Sequence, residues 1–196
     1  MGDDGEDHPW RRFERVALPH LDAAYNLARW ITRNDHDAED VVQDALLRAA
    51  RHIGTLRGES ARPWLLQIVR HTCYGWLREN RPAERVLLDD PEDAWQGLAA
   101  PSADEPPAVA LRKDDRRAID RAIAALPVAY REVLVLRELE ELSYEDIARI
   151  AGIPLGTVMS RLSRARGLMR AALGAAARPA LRPMGAVCGA RGKAAA

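Results

Sequence analysis

Apolar residues recur along this chain at three- and four-residue intervals, the spacing of helices that each bury one side. Between Trp10 and about Thr32 the series Phe13, Val16, Leu21, Ala24, Leu27, Ala28 and Ile31 keeps that period. Pro19 is placed to bend or restart the segment, because it removes one internal hydrogen bond. After a turn at Asn34-Asp35-His36, the next helix is expected from Asp37 to Ile53, with Asp37 as N-cap and Glu39 and Asp40 at the positive end of the helix dipole. Its apolar stripe is Ala38, Val41, Val42, Ala45, Leu46, Ala49 and Ile53. A loop with two glycines, residues 54–59, leads to a helix that starts between Ser60 and Pro63 and runs to Asn80. Leu65, Ile68, Val69, Thr72, Cys73 and Trp76 are its expected core stripe.

The periodicity fades over residues 81–111, where Pro recurs and acids collect, the composition of a flexible linker. It returns from Arg112 to Leu126, with Ala118, Ile119, Ala122 and Ile123 inward, and from Tyr130 to Glu138, with Val133, Leu134 and Leu136 inward. The pattern therefore predicts an all-α chain of two small helical domains, residues 10–80 and 112–173, joined by that linker. Residues 1–9 and 174–196, acidic and basic respectively, read as disordered ends.

The last helices carry the most chemistry. Ser143 is an N-cap with Asp146 three residues on, Gly152 is fit to end that helix in a left-handed conformation, and Pro154 stands where another begins. Val158, Leu162, Ala165 and Met169 then share one face, and Thr157, Ser160, Arg161, Arg164 and Leu168 the other. From Arg149 to Leu173 there are five arginines and no acid. A short helix, a glycine turn and an arginine-rich second helix form the layout of a DNA-reading helix-turn-helix, and Arg is the best bidentate partner for guanine edges and phosphates.

Composition changes this picture little. The formal net charge is zero, so whatever binds nucleic acid does so through the uneven distribution of charge. Cys73 and Cys188 are far apart and form neither a disulfide framework nor a zinc motif. Cys73 reads as core, and His71 as a surface histidine. No stretch approaches the ~20 apolar residues of a membrane span, and the acidic start is no signal peptide, so a cytoplasmic protein is expected.

Two other faces call for partners. On the 37–53 helix, Leu47 is apolar among the polar positions Asp40, Gln43, Asp44 and Arg48, as a docking surface would be. On the helix ending at Asn80, Trp64, Gln67, Arg70, His71, Tyr74 and Arg78 alternate rings with cations and an amide. Unpaired bases stack on such rings, and cations follow the phosphates.

The stretch LPVAYREVLVLRELEELSYEDIARIAGIPLGTVMSRLSRAR closely resembles region 4 of the bacterial extracytoplasmic-function sigma factors, with LSYEDIA and GTVMSRLSRAR as its specific pieces. DAEDVVQDALLRA resembles region 2.2, and the loop and helix after it resemble regions 2.3 and 2.4. The resemblance covers about Phe13 to Leu173. It implies a region 2 helical bundle and a region 4 helix-turn-helix, and a promoter-specificity subunit of RNA polymerase with no catalytic centre and no cofactor. Region 2.2 residues Asp40, Gln43, Asp44, Leu47 and Arg48 would dock on the β′ clamp helices, and region 4 would meet the β flap. The −10 single strand would be held by Arg57 in the preceding loop and by Trp64, Gln67, Arg70, His71, Tyr74 and Arg78. Met159, Ser160, Ser163 and Arg164 would face the −35 duplex, with Thr157 and Arg161 nearer its backbone. An anti-sigma factor, usual in the family, would cover the same docking surfaces.

Four departures stand out. Met159 replaces a basic or polar side chain, Pro63 precedes Trp64 where a Phe-rich stretch is common, and His71 and Gly75 replace a frequent Asn and Asp. Trp95, amid acids in the linker, is the odd residue there, either an anchor on a partner or an isolated exposed aromatic. The alternative to a sigma factor is a stand-alone helix-turn-helix regulator, which needs a ligand pocket or a symmetric interface. An enzyme is disfavoured: Asp37, Asp40 and Asp44 serve as ordinary helix-start acids, and no nucleophile lies near them.

Overall fold

A computed structural model describes residues 8–56, 61–81 and 113–176. The described residues form helices and two short 3-10 turns, with no strand among them. Arg57, the expected linker after Arg81 with its Trp95, and the tail beyond Ala176 lie outside these residues. Of residues 1–9, expected as a disordered end, His8 and Pro9 are described: His8 caps the first helix, which opens at Pro9.

The first domain contains α1 (Pro9–Ala17), α2 (Leu21–Thr32), α3 (Asp35–Arg51) and α4 (Ala61–Asn80). Pro19 does restart the first segment, inside a 3-10 turn at Leu18–His20 that separates α1 from α2. The start of α3 differs from expectation. Asn34, not Asp37, is the N-cap, and its side chain accepts from the amides of His36 and Asp37. Arg33 takes a left-handed conformation (φ 58°) to close α2 just before it. With Asn34, Asp35 and Asp37 nearly equal in capping strength, local chemistry does not choose between them. The path out of α2 does. Helices α2, α3 and α4 pack on one another around Leu27, Ile31, Val41, Ala45, Leu65 and Val69, all buried.

The second domain contains α5 (Lys113–Ala125), α6 (Val128–Glu138), α7 (Tyr144–Ala151) and α8 (Leu155–Ala176). The Ser143 hydroxyl accepts from the Asp146 amide at 3.0 Å and donates to the Asp146 carboxylate at 2.8 Å, a reciprocal cap. Gly152 ends α7 at φ 67°, a conformation that strains a side-chain-bearing residue. Val158, Leu162 and Ala165 of α8 are buried, and α8 packs on α5, α6 and α7. The helix continues to Ala176, past the expected end at Leu173.

Three inward residues were expected on α6, but every residue from Val128 to Leu136 is buried, Arg131 and Glu132 included. The reason is that α6 is covered on two sides. Helix α8 lies against it within its own domain, and α2 of the first domain lies against it from outside. Helix α7 likewise packs on α4. The buried apolar residues of both domains form one contiguous cluster.

Candidate nucleic-acid interface

The three faces expected from the sequence meet three different fates. The α3 face is open. Asp40, Gln43, Leu47 and Arg48 are exposed, and Leu47 is 53% accessible. Asp44 and Arg48, one turn apart, pair at 2.8 Å on this surface. An exposed leucine costs little in a free chain and gains when a partner covers it.

The α8 face is largely open. Met159 is 48% exposed, and Ser163 and Arg164 are exposed as well. Thr157, Ser160 and Arg161 are half-buried. Arg164 reaches the Tyr130 hydroxyl of α6 at 3.5 Å. The absence of acids within this stretch does not leave its arginines unpaired. Glu138 of α6 accepts two hydrogen bonds from Arg166, at 2.7 and 3.1 Å, and Asp146 of α7 lies 3.4 Å from Arg149. Met159, Ser163 and Arg164 are the expected duplex-facing residues that solvent reaches most freely.

The α4 face is split along its length. Gln67, His71 and Arg78 are exposed, and Trp64 is half-buried with its indole N–H donating to the Thr55 hydroxyl at 3.3 Å. On the other edge Arg70 is ion-paired with Glu132 of α6, and its guanidinium lies 4.2 Å from the Tyr74 ring centroid. Tyr74 donates its hydroxyl to the same carboxylate. Burial, the Glu132 charge and its hydrogen bond hold the Tyr74 phenol protonated, well above its ordinary range. Burial alone would lower the Arg70 pKa, but Glu132 and Tyr74 outweigh it and raise the guanidinium further. Cys73, fully buried one turn before Leu77, has its thiol pushed up by burial and by the Glu132 charge, so it is an inert core residue.

A second carboxylate extends the contact. Glu140, just past the end of α6, pairs with Arg62 at the start of α4 and accepts from the Asn26 amide of α2 at 3.3 Å. The following residue, Glu141, takes a left-handed conformation (φ 53°) that few side-chain-bearing residues adopt. Arg137 ties this turn by donating to the Leu142 carbonyl at 2.7 Å. Glu132, Glu140, Arg62 and Asn26 did not emerge from the sequence as interface residues. Among the described residues no cluster of three or more metal-ligating side chains occurs, and no helix is long and apolar enough to cross a membrane.

Comparison with known proteins bears on these faces together. Residues 17–82 match the family model described as Sigma-70 region 2, and residues 116–169 match the one described as Sigma-70, region 4. The chain is 39% identical over 147 residues to the ECF RNA polymerase sigma-E factor of Haemophilus influenzae, covering 73% of this chain and 77% of that protein. It is 35% identical over 167 residues to the RNA polymerase sigma-H factor of Pseudomonas aeruginosa, covering 83% of this chain and 86% of that one. Among solved structures, the sigma factor RpoE of Bartonella quintana, in complex with the anti-sigma factor NepR, superimposes with a TM-score of 0.63 at 27% identity. That match covers 83% of this chain and 96% of that one. CnrH, in complex with the cytosolic domain of CnrY, shares the fold with a TM-score of 0.59 at 23% identity, covering 83% of this chain and 88% of that one.

Proposed function

The chain belongs to the extracytoplasmic-function branch of the sigma-70 family, and from that membership we propose how its three faces divide the work of starting transcription. It is an initiation factor, not an enzyme: it binds core RNA polymerase and directs promoter recognition, DNA melting and initiation. The carrying observation is that one chain holds both sigma regions in order, one with an open docking face and the other with an open reading helix.

In this reading α3 docks on the clamp helices of β′ through Asp40, Gln43, Asp44, Leu47 and Arg48, and region 4 meets the β flap. Helix α8 enters the major groove of the −35 element with Met159, Ser160, Ser163 and Arg164, while Thr157 and Arg161 steady it on phosphates. Helix α4 holds the melted −10 strand through Trp64, Gln67, Arg70, His71, Tyr74 and Arg78, joined by Arg57 from the loop before it. Held bases offset the lost stacking of the open duplex, a few kcal/mol per base. Two modest sites on one chain act as a strong one because the first raises the effective concentration of the second. The work is cytoplasmic, where the polymerase is. An anti-sigma factor as regulator is in keeping with the NepR complex of the Bartonella relative.

The test is run-off transcription with purified protein, core RNA polymerase and a promoter library. Transcripts that start at defined sites only when both proteins are present support the reading. Sequence-specific DNA binding by the free chain with no effect on core enzyme would overturn it in favour of a stand-alone regulator.

A further inference from the structure

Two carboxylates of region 4 occupy the cationic edge of α4. Glu132 is fully buried and Glu140 is 4% exposed, yet neither finds its partner within its own domain. Arg70 and Tyr74 take Glu132; Arg62 and Asn26 take Glu140. A guanidinium presents the same fork to a carboxylate as to a phosphate, and a phenol that donates to one donates to the other. Arg70 and Tyr74, two of the side chains assigned to a nucleic-acid strand, and Arg62 on the same helix are thus occupied by groups with a phosphate's sign of charge and similar hydrogen-bonding geometry. Arg161 of the reading helix is drawn into the same junction. Its charge offsets part of the rise in the Tyr74 pKa, and its Nε is buried with no hydrogen-bond partner.

We propose that region 4 closes the free chain on itself, with Glu132 and Glu140 standing in for the strand, so that carboxylate and single-stranded DNA compete for Arg70, Tyr74 and Arg62. This rests on the assignment of α4 to the −10 strand and adds its regulation. The chemistry suits reversal. Removing one partner of a buried pair leaves an uncompensated charge, but opening the two domains returns both partners to water together. The ionic part of the contact therefore costs little to separate, although each contact is close. The apolar cluster shared across the junction adds a non-directional attraction that the carboxylates orient. Release then needs only a partner with a higher claim on either side: polymerase on region 4, or DNA on α4.

The test uses the full chain with Glu132→Gln and Glu140→Gln combined. Glutamine keeps the shape and removes the charge. Two quantities are read: the radius of gyration by small-angle X-ray scattering, and the affinity for a short fluorescein-labelled single strand of mixed sequence. A chain closed about nine-tenths of the time hides about tenfold of its strand affinity, so opening returns roughly that factor. The expected result is a larger radius with roughly tenfold tighter strand binding, the gain being abolished when Arg70→Ala is added. An unchanged radius with unchanged affinity overturns the closure and leaves the assignment of α4 standing. A larger radius with unchanged affinity overturns the competition, and with it the assignment of Arg70 to the strand. Glu140→Gln alone, at the rim of the contact, carries the same two readouts should the double variant misfold, with a smaller expected gain.

Discussion

Helices α3 and α4 are neighbours in one small domain, and both were expected to present a binding face, yet one is bare and the other half covered. The bare face has at its centre a leucine 53% exposed, with a carboxylate and a guanidinium that satisfy each other one turn apart. The covered face has lost its cationic edge to two acids from region 4 and keeps only Gln67, His71, Arg78 and part of Trp64 in solvent. A single leucine among polar groups is an ordinary exposed residue, and it gains when a partner removes its area from water. A row of arginines and a phenol attracts any polyanion, and it is this face that an internal carboxylate holds. The difference suggests an order of events in which polymerase is met first through α3, and α4 is uncovered afterwards.

The strongest way to break the comparison is Leu47→Asp. A charge placed at the centre of a docking face must be desolvated without a partner, and one such change at a central anchor costs about 3 kcal/mol, roughly a hundredfold in affinity. The expected outcome is that loss in a fluorescence titration against core polymerase, with a melting temperature unchanged because the position is solvent-facing. Unaltered core affinity would remove Leu47 from the interface and the α3 face from its role.

Next in size is Arg164→Ala on the reading helix. Loss of one arginine contact in the major groove costs about 1–2 kcal/mol, so run-off from a promoter with an intact −35 element should fall roughly tenfold. Initiation on a promoter that lacks the element should be untouched. An equal fall on both would make Arg164 a structural residue, acting through its contact with Tyr130.

Much of this was legible in the sequence because it is local. Helical periodicity found the helices, and Ser143 and Gly152 cap α7 as their side chains dictate. The position of the α3 cap was missed by a few residues because three adjacent side chains compete for it and the path of the chain decides. The junction was not legible, since Glu132 finds Arg70 across 62 positions and Tyr74 across 58. On paper Glu132 is an ordinary surface charge. A signal was nevertheless present: VAYREVLVL places apolar residues on nearly every side of its helix, broken by Arg131 and Glu132, and such a helix gains from cover on more than one side. Its own small domain has too few helices to do so, and the first domain supplies the missing side.

Trp64→Ala sharpens the contrast between the two edges of α4. Trp64 lies on the edge that region 4 leaves accessible, so its contribution to strand binding is present in the closed chain. Stacking of one base on an aromatic ring is worth about 1 kcal/mol at the lower end, and removing it should weaken binding of a labelled single strand several-fold. Arg70→Ala should change strand binding less, because it removes a strand contact that Glu132 already holds and at the same time loosens the closure that hides the rest of the face. A larger loss from Arg70→Ala than from Trp64→Ala would reverse the order of the edges.

The smallest effect expected is that of Asp44→Asn, and it tests the bare face by its quietness. Asp44 and Arg48 pair at 2.8 Å with side chains 48% and 50% exposed. Water screens such a pair, and a pair one helical turn apart contributes about 0.3–0.5 kcal/mol. Thermal unfolding should therefore shift by no more than a degree or two, whereas breaking the buried Arg70–Glu132 pair is expected to open the two domains. Core affinity is the discriminating quantity. If Asp44 and Arg48 serve only each other, Asp44→Asn leaves polymerase binding where it was. If they turn outward to meet the clamp helices, binding weakens a few-fold and the loss shrinks as salt is raised, since the charges at the rim of an interface act mainly through long-range attraction.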